Sequence, residues 1–113
     1  MVTIPTARKI ALQFQEAEEK PHFEKTSFRV RKKIFATMDI RKKQMVVRLS
    51  EVDQSVFSDH DRSVIYPVPG AWGRQGWTIV ELKKVRKDML LDAVTTSYCS
   101  VAPKKLAELY RLD

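Results

Sequence analysis

Apolar residues at positions 7, 10, 11, 14 and 17 recur at spacings of three and four, the period of an amphipathic helix. The spacing predicts a helix over residues 4–17, with Pro5 tolerated in its first turn and Glu18, Glu19, Lys20 and Pro21 ending it. The period then changes to two. Residues 26–30, 33–38 and 44–49 are rich in Phe, Val, Ile, Met and Thr, and only Arg31-Lys32 and the polar stretch 39–43 separate them. Such short connections predict an antiparallel meander. Phe28 and Val30 alternate with Arg29 and Arg31, and Met45, Val47 and Leu49 with Arg48, so one sheet face is expected to be solvated and basic. Ser50 has the character of an N-cap, with Asp53 three residues on, and Leu49, Val52, Val56 and Phe57 share one face of a short helix ending near Asp59. Residues 63–68 and 76–82 read as two further strands. The loop Pro69-Gly70-Ala71-Trp72-Gly73-Arg74-Gln75 joins them, and the three glycines of the chain fall at 70, 73 and 76. From about Lys87, the residues Leu90, Val94, Tyr98 and Val101 form a helical stripe. Pro103 breaks it and starts a last helix carrying Leu106, Leu109 and Tyr110. The order α-β-β-β-α-β-β-α-α predicts a two-layer α+β domain over residues 1–113, a five-stranded antiparallel sheet with helices on one face.

Composition supports a globular chain: 113 residues, 43% apolar and 31% charged, enough for one core. A single Cys99 excludes a disulfide framework and a thiolate-based metal site. Apolar runs are only a few residues long, too short for a membrane span, and the Met1 end lacks a signal-peptide pattern, so a cytoplasmic protein is expected; the sequence does not fix its oligomeric state, and a monomer is favoured. Twenty-one Lys and Arg against fourteen Asp and Glu leave a net charge of +7. The excess is local. Residues 1–24 carry −1, residues 25–48 carry +8 and residues 49–113 are neutral. A concentrated excess points to a polyanionic partner rather than to a fold.

The run Lys20-Pro21-His22-Phe23, then Ser27-Phe28-Arg29-Val30 and Lys33-Ile34-Phe35-Ala36-Thr37, resembles the MmcQ/YjbR-like family. So do Tyr66-Pro67-Val68-Pro69, Trp72-Gly73-Arg74-Gln75-Gly76-Trp77-Thr78 and Val101-Ala102-Pro103-Lys104-Lys105-Leu106, in the family's order across nearly the whole chain. The resemblance implies a small antiparallel sheet packed on helices, with a topology similar to type III secretion chaperones. It implies no established biochemical function; a nucleic-acid-binding role has been suggested for the family from a double-wing arrangement of hairpins. Two positions depart from the family pattern. Gln15-Glu16-Ala17 stands where Pro-Gly is often seen, and Arg86 where a capping Asp is usual.

Four groups of residues carry candidate chemistry. Arg29, Arg31 and Lys32 on one hairpin and Arg41, Lys42 and Lys43 on the next are read as two basic wing tips that straddle a phosphate backbone, giving salt-dependent, weakly specific binding to DNA or other nucleic acid. Arg74, between Trp72 and Trp77, extends that set. Trp77 is expected in the core and Trp72 at a partly exposed surface. The alternative is a protein- or small-ligand-interaction module, with a pocket in a sheet-helix groove near His22, Tyr66 and Trp72. His22 and His60 lie too far apart in sequence to suggest a zinc site, Cys99 is expected to pack rather than react, and Lys104 and Lys105 to reach water or Glu108. No catalytic constellation stands out, so a non-enzymatic module without cofactor or metal is expected.

Overall fold

The computed structural model describes residues 1–111. The first helix, α1 (Ile4–Leu12), begins at Thr3, whose Oγ1 accepts a hydrogen bond from the Thr6 amide, and it buries Ala7, Ile10 and Ala11. It stops a turn earlier than its apolar spacing predicts. Phe14 still reaches the core, but Glu16 takes a left-handed conformation (φ 62°) and turns the chain into a strand. That strand, β1 (Ala17–His22), corrects the expectation that Glu18, Glu19, Lys20 and Pro21 merely end the helix. Two features let so polar a segment extend. The Glu19 carboxylate, turned toward the helices, accepts two hydrogen bonds from Arg8 Nε (3.0 and 3.1 Å) and one from Thr26 Oγ1 (2.8 Å). Pro21 sits on a sheet edge, where its missing N–H removes nothing from the sheet.

The meander continues through β2 (Lys25–Val30), β3 (Lys33–Asp39) and β4 (Gln44–Arg48). Arg31 and Lys32 both have positive φ (50° and 70°), the requirement of a two-residue hairpin turn whose twist matches its strands. Pairing of Phe28 with Ala36 and of Arg29 with Ile34 leaves Phe35 as an extra residue, so this bulge sends both Phe35 and Ala36 into the core. After α2 (Glu51–His60), capped by Ser50 Oγ accepting from the Asp53 amide, come β5 (Ile65–Pro67), the four-residue α3 (Ala71–Arg74) and β6 (Trp77–Glu81). The chain ends in α4 (Lys87–Val101) and the short α5 (Lys104–Ala107). The sheet therefore has six strands rather than five, all antiparallel, in the order β1-β2-β3-β4-β6-β5, and α3 is a further element that the pattern does not announce.

Helices α1 and α4 cover one face. Phe14 stacks on Tyr98 (4.8 Å between centroids), Phe35 meets Tyr98 edge-on, and Tyr110 closes the cluster. The buried hydroxyls of Tyr98 and Ser97 are satisfied. Tyr98 Oη donates to the Gln15 carbonyl (2.6 Å), while Ser97 Oγ donates to the Phe35 carbonyl and accepts from the Arg48 amide, tying α4 to two strands at once. Leu109, beyond the end of α5, is exposed. Among the described residues no helix is long and apolar enough to cross a membrane.

Candidate nucleic-acid interface

In a meander, successive turns lie at opposite ends of the strand between them. The Arg31-Lys32 turn and the turn after Asp39 are thus separated by the seven residues of β3, about 20 Å at the usual rise per residue. The two basic hairpins do not form adjacent wing tips, which corrects the sequence expectation. The first turn is also partly occupied: Arg31 donates from Nε and Nη2 to the two Glu16 carboxylate oxygens (2.9 and 3.1 Å). That bidentate hydrogen bond lowers the Glu16 carboxyl below its ordinary range and raises Arg31. Lys32 remains exposed, and Arg29 is half-buried, its Nε donating to Ser27 Oγ (3.0 Å).

The second turn gains cations from elsewhere. Gln44 pairs with Glu81, and just beyond that pair the Leu82 amide donates to the Lys43 carbonyl (3.0 Å). This bond sets the loop carrying Lys83 and Lys84 against Arg41, Lys42 and Lys43, and all five side chains are exposed. Three carboxylates lie around this end: Asp39 Oδ1 accepts from the Lys42 amide (3.0 Å), Glu81 accepts from Gln44 Nε2 (2.9 Å) and from the Tyr66 hydroxyl, and Asp61, held below its ordinary range mainly by Ser63, also feels the charge of Lys84. Donation to Glu81, with some burial, pushes Tyr66 up to about 12. The charges of Lys83 and Lys84 are hidden in the sequence because residues 49–113 are neutral as a block. The available signal is the run Lys83-Lys84-Val85-Arg86-Lys87 directly after a strand. The Phe23-Glu24 turn of the β1–β2 hairpin lies at this same end, and Phe23 stands 94% exposed.

On the sheet face away from α1 and α4, a hollow of ≈ 390 Å³ is lined by His22, Lys25, Ile34, Thr37, Val46, Val68, Trp72 and Trp77. It brings together His22 and Trp72, as expected. Tyr66 is not among its walls; it lines a separate cleft with Gln54, Ser58 and Arg62. The expected sheet-helix groove is thus an open sheet face with α3 at its margin. Trp77 is not in the core either. Thr78 and Val80 point to the helices, so alternation puts Trp77 and Ile79 on the open face, where Arg48 lies 5.9 Å from the Trp77 ring centroid. Trp72 is 62% exposed, at the partly exposed surface expected of it. Arg74, exposed on α3, borders another hollow with Arg48, Ser50 and Glu51. A larger space, ≈ 550 Å³ between α2 and α4, has Asp53, Asp92 and Arg111 in its wall and carries no excess of cations. Half-buried Cys99 donates to the Ala107 carbonyl, and burial pushes its thiol up. Among the described residues no three His, Cys, Asp or Glu side chains gather as metal ligands.

The α3 segment that carries Trp72 is held by α2. Gln54 Nε2 donates to the Gly73 carbonyl (2.9 Å) and to Thr78 Oγ1 (3.0 Å). Gly73 is required by close approach, since a Cβ there would stand 1.9 Å from the Val68 carbonyl oxygen.

Comparison with known proteins agrees with this architecture. The chain is similar to the crystal structure of Deinococcus radiodurans protein DR2400, a DUF419 domain, at a TM-score of 0.80 and 19% identity over 98% of this chain and 86% of that one. At that identity the likeness is one of fold. No curated protein matches the sequence. The YjbR family model matches residues 12–100, from the end of α1 to the last turn of α4, and the chain belongs to the YjbR family.

Proposed function

We propose that this YjbR-family chain is a nucleic-acid-binding module whose phosphate contacts come from one end of the sheet, the β3–β4 turn together with the β6–α4 loop. The observation that carries the reading is the hydrogen bond from the Leu82 amide to the Lys43 carbonyl. It makes neighbours of Arg41, Lys42, Lys43, Lys83 and Lys84, while Asp39 accepts from the Lys42 backbone amide and Glu81 from Gln44. The role is one of binding rather than catalysis: Glu19 and Glu16, each paired with an arginine, serve as structural anchors for Arg8 and Arg31.

Counterion release turns the reading into a slope. If the five side chains neutralise about five phosphates of a duplex, log affinity falls against log salt with a slope of about −4.5, roughly a 500-fold loss between 50 and 200 mM. Anisotropy titrations of a labelled duplex measure it. Lys42→Gln with Lys83→Gln is expected to reduce the slope to about −2.7 and the loss to roughly 40-fold. Lys32→Gln with Lys33→Gln, at the opposite end, is expected to leave both unchanged. A parent that does not bind at 50 mM salt refutes the proposal, as does a Lys42/Lys83 variant with the parent's slope.

A further inference from the structure

Resting on the nucleic-acid reading, we infer that the Trp72–Trp77 hollow on the open sheet face accepts a single unpaired nucleobase of the bound strand. Both tryptophans of the chain line it, one from α3 and one from the sheet, over aliphatic side chains of Ile34, Val46 and Val68. Indole faces over an aliphatic floor suit a flat heteroaromatic ring, and stacking of this kind tolerates any base. The wall also carries His22, Lys25 and Thr37, whose polar atoms suit a base edge or its phosphate, and none of the described lining residues is acidic. Its ≈ 390 Å³ lies within the range of small-molecule sites, about 300–1,000 Å³.

Trp72 is itself placed for contact with a ligand. An indole 62% exposed on a short helix contributes little to the core, yet α2 and Gly73 hold the backbone beneath it in place. Arg48 lies against Trp77, so a cation already stands at the rim of the hollow, ready to meet the phosphate of a stacked nucleotide. Lys25 connects the hollow with the basic end. It follows the Phe23-Glu24 turn, which shares that end with Arg41, Lys42 and Lys43, and it also lines the hollow. A strand that runs from the basic end over Lys25 crosses the open face toward the indoles, with Trp77 four residues, about 13 Å, along β6 from Glu81. Bases paired within a duplex do not present their faces to such a hollow.

The test uses oligothymidylate and a duplex of equal length, with intrinsic tryptophan emission as the reporter, because the hollow holds both indoles of the protein. The single strand is expected to quench the emission, whereas the duplex is expected to bind with little change. Trp72→Ala is expected to weaken single-strand binding by roughly 5- to 150-fold, the usual effect of losing one stacking partner. Duplex affinity and its salt slope should stay as in the parent, and Trp72→Phe should restore part of the lost affinity. Single-strand binding with unaltered emission overturns the inference, as does a Trp72→Ala variant with the parent's affinity. In either of those cases a persistent salt slope leaves the basic-end reading standing. A parent that binds neither probe overturns both.

Discussion

Gln54 gives the sharpest test of how the fold positions its open-face tryptophans. Its side-chain amide donates to the Gly73 carbonyl at 2.9 Å and to Thr78 Oγ1 at 3.0 Å, and lies 3.4 Å from the Trp77 carbonyl. Gln54→Leu keeps the volume and removes the donor. The acceptors are not wholly orphaned: the Gly73 carbonyl still receives the Gly76 amide, and Thr78 still donates to the Gly76 carbonyl. The cost is therefore that of two neutral hydrogen bonds, about 1–2 kcal/mol, rather than the larger penalty of a buried group left unpaired. For a domain near 100 residues each kcal/mol lowers the melting temperature by about 4 °C or more, so a drop of roughly 4–8 °C is expected in a circular-dichroism melt. The same loss frees α3 from α2, and Trp72 precedes Gly73 as Trp77 precedes Thr78, so the emission maximum should shift to the red. A variant melting within about 2 °C of the parent with unchanged emission would refute the claim that Gln54 fixes this segment.

Two further perturbations probe the same scaffold. Tyr66 is pushed up to about 12 by donating to Glu81, and Tyr98 to about 12 mainly by burial, so the folded state keeps both protons between pH 10 and 12 while the unfolded chain releases them. That contribution is intact below pH 10 and is lost as pH rises toward 12; Tyr66→Phe should therefore flatten the fall of melting temperature over this window, and an unchanged pH dependence would contradict the assignment. Gly76 combines a φ of +106° with a would-be Cβ 2.0 Å from the Leu49 carbonyl oxygen. Gly76→Ala should cost at least about 1–3 kcal/mol in backbone strain before the clash is counted, and a melting temperature equal to the parent's would show that the β4–α2 junction yields more easily than its geometry implies.

The elements legible in the sequence are those in which local pattern and final environment agree. The β2–β3–β4 meander, the Ser50 cap and the α4 stripe of Leu90, Val94 and Tyr98 all show the expected period or capping residue. β1 is invisible to that logic because its inward face, Ala17, Glu19 and Pro21, has a carboxylate at its centre and no large apolar residue. Glu19 faces inward only because Arg8, eleven residues earlier, and Thr26 satisfy it, and no local window contains that triplet. The bulge at Phe35 hides in the same way, since two successive inward residues break the alternation that marks a strand. Trp77 shows the opposite failure. Its size argues for burial, but the register that sends Thr78 and Val80 to the helices leaves it on the open face, where a half-exposed indole is available to a ligand.

The charge map fails for a topological reason that applies to any meander. Alternate turns share an end of the sheet and consecutive turns do not, so the nine basic residues between positions 25 and 48 cannot act as one patch. The ends of β3 are about 20 Å apart, and exposed charges decouple beyond about 8 Å at physiological salt. Arg31-Lys32 and the 41–43 turn are electrostatically independent sites. What strengthens the latter is Lys83 and Lys84, some forty residues away in sequence and joined to it by a single backbone hydrogen bond. A window sum assigns those lysines to a neutral block, while the sheet places them beside Lys43. The excess of +7 therefore bears on function only after the strand order β3-β4-β6 decides which turns lie together, and that order makes the 41–43 and 83–84 cations the ones to mutate first.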